Sequence, residues 1–122
     1  MCASMNKVGR VGLLSDSHGN LEATEKAIDV LMNHGCDQLV HLGDFCDTNR
    51  REHIQDICRL LMQKQIVAVK GNNDYLIELS LSNLKGQEYH DTRWIYEFLK
   101  EVPLTRVVND ICFAHSFPFN YL

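Results

Sequence analysis

The sequence predicts an α/β domain whose parallel strands are joined by crossover helices. Three short apolar runs (Val11 to Leu14, Gln38 to Leu42, Ile66 to Val69) each stop at a polar cluster containing Asp or Asn. Between them lie two stretches with apolar residues at helical spacing, Leu21 to His34 and about His53 to Lys64. Strand and helix alternating in this order are the signature of βαβ units in a parallel sheet.

Composition bounds the function. At 122 residues the chain makes one domain, residues 1–122, able to bury a core. Its apolar fraction of 45% and charged fraction of 23% are ordinary for a soluble globular protein. The net charge of −4 argues against a module that binds nucleic acid through a basic face, so an anionic substrate needs local cations. No run approaches the roughly 18 apolar residues of a membrane span, and Met1 to Lys7 lacks a signal-peptide core. The five cysteines (Cys2, Cys36, Cys46, Cys58, Cys112) form no C-x-x-C pair, which predicts buried free thiols in a reducing, cytoplasmic setting.

Each element has a local reason. The first strand (Val11, Leu13, Leu14) reads as buried and delivers Asp16 and His18 to its carboxyl end. Gly19 permits a tight turn, and Asn20 is a good N-cap for the helix from Leu21 to His34, with Gly35 at its C-terminus. The second strand ends in Gly43-Asp44. The second helix turns Ile54, Ile57, Cys58, Leu60 and Leu61 inward. The third strand closes in Gly71-Asn72-Asn73-Asp74, and Asp74 is expected to cap a helical turn from Tyr75 to Leu81. Asn83 to Asp91 reads as a polar loop. Thr92 to Glu101 reads as a helix with a core stripe of Trp94, Ile95, Phe98 and Leu99, ended by Pro103. Thr105 to Val108 and Ile111 to Ala114 flank Asn109-Asp110, which suits a two-residue hairpin turn.

The strand ends carry the chemistry. Asp16, Asp44 and Asn72 are 28 residues apart at each step, close to one βαβ repeat of roughly 30 residues. Parallel strands bring such ends to one edge, where ligands bind in open α/β folds. Asp16, His18, Asp44 and Asn72 are therefore expected to converge, with His115 reaching the same edge from a later strand. Carboxylate, amide and imidazole donors suit two divalent ions, with Asp44 bridging, Asp16 and His18 on one side, and Asn72 and His115 on the other. Mn²⁺, Fe or Zn²⁺ fits this set better than Ca²⁺. Two such ions about 3.5–4 Å apart grip a phosphate and activate water as hydroxide near neutral pH.

The blocks Asp16-Ser17-His18, Gly43-Asp44-Phe45-Cys46-Asp47 and Gly71-Asn72-Asn73-Asp74, followed by His115, resemble the calcineurin-like metallophosphoesterases, with their D-x-H, G-D-x-x-D, G-N-x-[DE] and later strand-end His. The likeness runs from Val8 to His115 and is nearest the small bacterial and archaeal phosphodiesterase branch. It implies a layered α/β/β/α sandwich, a dinuclear centre of Mn²⁺ (or Fe, Zn²⁺ or Ni²⁺), and the ligand roles just given. It also implies hydrolysis of a phosphate-ester small molecule or nucleotide, most readily a diester. Two departures stand out. Asn73 occupies the usual position of a His that protonates the leaving group; it donates a hydrogen bond but supplies no proton, which favours diesters or activated esters. The family's final G-H-x-H block is missing, and His115 to Leu122 ends in aromatic residues without a polar tail; we read the chain as cut short, with the second sheet incomplete and each metal one ligand short.

Simpler roles fit the remaining polar residues. Asp47 and Asp74 are expected to support the ligands or cap helices. His34, His41, His53 and His90 read as structural or solvated, and Arg50 and Arg51 as a solvated face. A protein-binding scaffold of the same fold, a protein phosphatase and a dinucleoside polyphosphate hydrolase are the alternatives. A scaffold tends to lose D-x-H or the G-N block, and both are present; Thr48 stands where a protein phosphatase carries Arg. A homo-oligomer is compatible with the sequence.

Overall fold

A computed structural model of the chain describes residues 9–116. The βαβαβ order predicted from the sequence is present. It runs β1 (Val11–Leu14), α1 (Leu21–Asn33), β2 (Gln38–His41), α2 (Ile54–Gln63) and β3 (Val67–Ala68), with one 3₁₀ turn (Arg51–His53) before α2. The sheet order is β1-β2-β3, all parallel, with Leu14 opposite His41 and His41 opposite Ala68. All three strands therefore release their chains at one edge. α3 (Asn72–Ser82), α4 (Gly86–Glu101) and the antiparallel hairpin β4 (Thr105–Val108) and β5 (Ile111–Ala114) follow, and the hairpin forms a second, small sheet. Among the described residues no helix is long and apolar enough to cross a membrane.

Local signals act as expected at several points. The Asn20 side chain accepts the Ala23 N–H at 3.0 Å and caps α1. Gly35 takes φ +79 just past the helix. Asn109 and Asp110 adopt φ 53 and 64, the pair of left-handed residues that a two-residue hairpin turn requires. Ile54, Ile57, Cys58, Leu60 and Leu61 of α2 are buried, and Ile95 and Leu99 of α4 join them, with Trp94 and Phe98 packed alongside. Phe45 sits at the centre of this core, edge-on to His41 (5.6 Å between centroids) and Phe98 (6.2 Å).

The structure corrects other expectations. The stretch predicted as a polar loop over 83–91 is mostly helix, because α4 begins at Gly86. Its polar first half has no apolar stripe to betray it, and it is continuous with the turns that bury Ile95 and Leu99. The turn expected from Tyr75 is a longer helix that starts at Asn72, so Asp74 lies inside its first turn and the cap position is Gly71. Leu13, expected to be buried, is 47% exposed, because β1 is an edge strand of the described sheet. Cys36, Cys46 and Cys58 are buried free thiols, whereas Cys112 lies on an exposed face of β5; Cys2 falls outside the described residues.

Candidate metal centre

The backbone beyond β1 and β2 keeps bonding after the strands end. Asp16 N–H donates to Gly43 O (3.0 Å), His18 N–H to Asp44 O (3.0 Å) and Gly19 N–H to Phe45 O (2.9 Å). This zipper holds the two loops side by side. Asp16, His18 and Asp44 take φ 55, 46 and 58, a region L-residues other than Asn and Asp seldom occupy. Three such residues at one edge are the kind of stored strain that clusters at functional sites. Close backbone approach adds a second constraint: a Cβ on Gly71 would fall 2.2 Å from Asp44 Oδ1, and one on Gly43 2.8 Å from His115 Nδ1.

Every predicted ligand reaches this edge. Asp16, His18 and Asp44 each offer one ligand atom, all within 4.8 Å of one another. His18 Nε2 lies 3.4 Å from Asp16 Oδ1 and 3.7 Å from Asp44 Oδ2. His115 Nε2 lies 3.6 Å from the same Asp44 Oδ2, so one carboxylate oxygen sits between two imidazoles. The Asn72 amide end is 3.2 Å from both Asp44 Oδ2 and His115 Nε2. With its nitrogen turned inward Asn72 donates to these acceptors. With its oxygen inward it would face acceptors alone, an arrangement that a shared cation stabilises.

The protons and charges around these groups leave room for a cation. His115 Nδ1 is 2.9 Å from Leu42 O, a carbonyl that can only accept, so Nδ1 carries a proton, and in the neutral ring the Nε2 lone pair faces Asp44. Among the described residues no lysine or arginine nitrogen lies within 4.0 Å of Asp16 or Asp44; the basic groups beside them are imidazoles. A hydrogen bond from the Ser15 hydroxyl holds the Asp16 carboxyl below its ordinary pKa, outweighing the opposing effect of desolvation.

Asp44 is anchored from behind. The buried Asp74 carboxylate accepts the N–H groups of Asp44 (2.8 Å), Cys46 (2.9 Å) and Gly71 (2.9 Å), tying the β2 and β3 loops together. Burial pushes the Asp74 pKa up to about 6 against these three bonds. Asp44 Oδ1 accepts the Asn73 N–H at the start of α3 (2.9 Å), where the helix dipole favours an anion. The Asn73 side chain is engaged at both ends: Nδ2 donates to Asp44 Oδ2 (3.0 Å), and Oδ1 accepts from Thr48 N (3.3 Å) and Thr48 Oγ1 (3.2 Å). Thr48 and Asn73 are thus bonded to each other across the two loops. Asp47 accepts from Asn49 N and stands 3.8 Å from His18 Nδ1. Arg51 is held by Thr48 O and Ser80 Oγ.

Two contacts escape sequence reasoning. His41 is completely buried and bonds Ser17 across 24 residues, and nothing local in the sequence marks that pair. The Thr48–Asn73 link is equally non-local.

Comparison with known proteins places the chain in a family and a fold. The family model for the calcineurin-like phosphoesterase superfamily domain matches residues 10–117. Phosphodiesterase MJ0936 of Methanocaldococcus jannaschii is 28% identical over 65 residues, 53% of this chain and 36% of that protein. The crystal structure of a metallophosphoesterase from Sphaerobacter thermophilus superposes with a TM-score of 0.57 at 24% identity, covering 88% of this chain and 46% of that one. The chain therefore spans less than half the length of either relative. With a family match over most of its residues and a matching fold, this chain belongs to the calcineurin-like phosphoesterase superfamily.

Proposed function

We propose that the protein hydrolyses phosphate esters, preferentially diesters of small molecules or nucleotides, at a rim that holds two divalent cations. The observation that carries this is the position of Asp44 Oδ2, 3.7 Å from His18 Nε2 and 3.6 Å from His115 Nε2. One carboxylate facing two imidazoles suits a shared ligand, with Asp16 and His18 completing one side and Asn72 and His115 the other. The mixed oxygen and nitrogen donors suit Mn²⁺, Fe, Zn²⁺ or Ni²⁺, and Mn²⁺ comes first on the family resemblance. Bound there, divalent ions supply the positive charge that grips a phosphate and lower the pKa of water.

The chain's own residues do the positioning. Asp74 and the start of α3 hold Asp44 in place before any ligand arrives. Asn73 steadies Asp44 and offers no proton to a leaving group, which favours esters whose leaving oxygen needs none. A cleft of about 220 Å³, lined by Leu14, Ser15, Asp16, Ser17 and Asn20 among others, opens beside the rim and gives an ester substituent room. The name of the archaeal relative, a phosphodiesterase, supports the diester preference. The buried free thiols support a reducing, cytoplasmic setting.

The test is Mn²⁺-dependent hydrolysis of matched aryl mono- and diesters by the full chain and by Asp44→Asn. We expect the diester to be preferred and the variant to lose roughly 10³-fold in rate, since several kcal/mol of charge stabilisation go with the ligand. Equal rates remove Asp44 from the reaction; a monoester preference overturns the diester assignment.

A further inference from the structure

The Asp16–His18 turn carries two ligand candidates on backbone of positive φ, with Ser17 between them. The Ser17 side chain points back into the protein, where its Oγ lies 2.7 Å from His41 Nε2. His41 closes β2 and is wholly buried, edge-on to Phe45. Its other nitrogen, Nδ1, accepts the Gly43 N–H at 3.1 Å. An acceptor nitrogen must keep its lone pair, so the ring proton is on Nε2 and is donated to Ser17 Oγ. One imidazole thus bonds both loops of the rim: the turn bearing Asp16 and His18 through a side chain, and the loop bearing Asp44 through a backbone amide.

We propose that His41, as its Nε2–H tautomer, is a positioning residue that fixes the Asp16–His18 turn through the Ser17 hydroxyl and thereby sets the cation affinity of that side of the rim. The inference rests on the two-cation reading above. The geometry carries it in two ways. The zipper between the loops constrains the backbone of Asp16, His18 and Gly19 but leaves Ser17 without a bond from its own N–H to the Asp44 loop. The His41–Ser17 bond supplies a side-chain tether at that point. Without it, the strained φ values of Asp16 and His18 have one fewer restraint, and relaxation toward ordinary backbone angles would swing both ligand atoms away from Asp44.

Two measurements on the full chain test this. Long-range ¹⁵N NMR of the unsubstituted, metal-free chain should show His41 protonated at Nε2; protonation at Nδ1 overturns the proposal without any substitution. Calorimetric titration with Mn²⁺ should then show Ser17→Ala binding about 10-fold more weakly. Ser17→Thr, which restores the hydroxyl, should bind within about threefold of the unsubstituted chain on the same reasoning. In a His41→Gln background Ser17→Ala should add little further loss, because both changes cut the same link. Ser17→Ala binding Mn²⁺ as tightly as the unsubstituted chain overturns the positioning role and leaves the two-cation reading intact. An unsubstituted chain that binds no Mn²⁺ overturns both.

Discussion

Asp44 leaves 6% of its side chain exposed and Asp16 leaves 51%, although both carboxylates face the same rim. The Asp44 side is built from inside the protein. Asp74 takes three backbone N–H groups behind it, α3 begins at its carboxylate, Asn73 reaches across to it, and Phe45 next to it fills the core. The Asp16 side projects from the end of an edge strand and is held by a backbone zipper, the Ser15 hydroxyl and the buried His41. The contrast teaches that the two halves of the rim are organised at different expense. Removing the Asp74 anchor behind the buried half should weaken the fold itself, whereas cutting the exposed half should loosen a cation and leave the stability of the fold unchanged.

The largest effect should come from Asp74→Ala, which strips the acceptor from three buried N–H groups. At about 1–3 kcal/mol for each buried group left unpaired, we expect unfolding in urea to weaken by roughly 4 kcal/mol; a loss under about 1 kcal/mol would break the comparison on its buried side. His41 tests the link between the halves. Burial pushes its imidazole down to about 4 from an ordinary 6.5, with the Asp16 and Asp44 carboxylates opposing. The unfolded chain therefore takes up a proton at His41 that the folded chain refuses between those values, so this contribution is present above pH 6.5 and is lost as pH falls toward 4. The shift corresponds to about 3 kcal/mol. Asp74, raised to about 6, works in the opposite direction, gaining stability as pH falls below 6. The His41 contribution is therefore read as a difference: the stability gap between the chain and His41→Gln should narrow by about 3 kcal/mol between pH 7 and pH 4. A constant gap would contradict a buried neutral imidazole.

Asn73→Ala removes a tie to Asp44 while leaving its other anchors, and should weaken Mn²⁺ about tenfold by calorimetry. Smallest in stability is Asp16→Asn. We expect its urea midpoint to move by no more than the ~0.5 kcal/mol usual for exposed positions, while Mn²⁺ affinity falls. If Asp16→Asn unfolds the chain as Asp74→Ala does, the two halves are not differently built.

What was legible in the sequence was local or periodic. Asn20 announces a cap because its side chain bonds three residues away, and Asn109-Asp110 announces a turn because both tolerate positive φ. The even spacing of Asp16, Asp44 and Asn72 announces one sheet edge because parallel strands all point the same way. The first half of α4 was illegible because its residues are polar all round and owe their helix to the apolar turns that follow. The exposure of Leu13 is not legible because an apolar residue does not say whether its strand lies inside a sheet or at its rim.

The amino-acid order alone determined the βαβαβ frame, the hairpin and the set of side chains bound for the rim, since these follow from periodicity, turn chemistry and chain direction. Only the folded chain decided which nitrogen of His41 and His115 holds its proton, that Asn73 and Thr48 engage each other, and that Asp74 pins Asp44 from behind. Those are contacts between residues distant in the chain, and a hydrogen bond exists only where packing has brought its two atoms to about 3 Å.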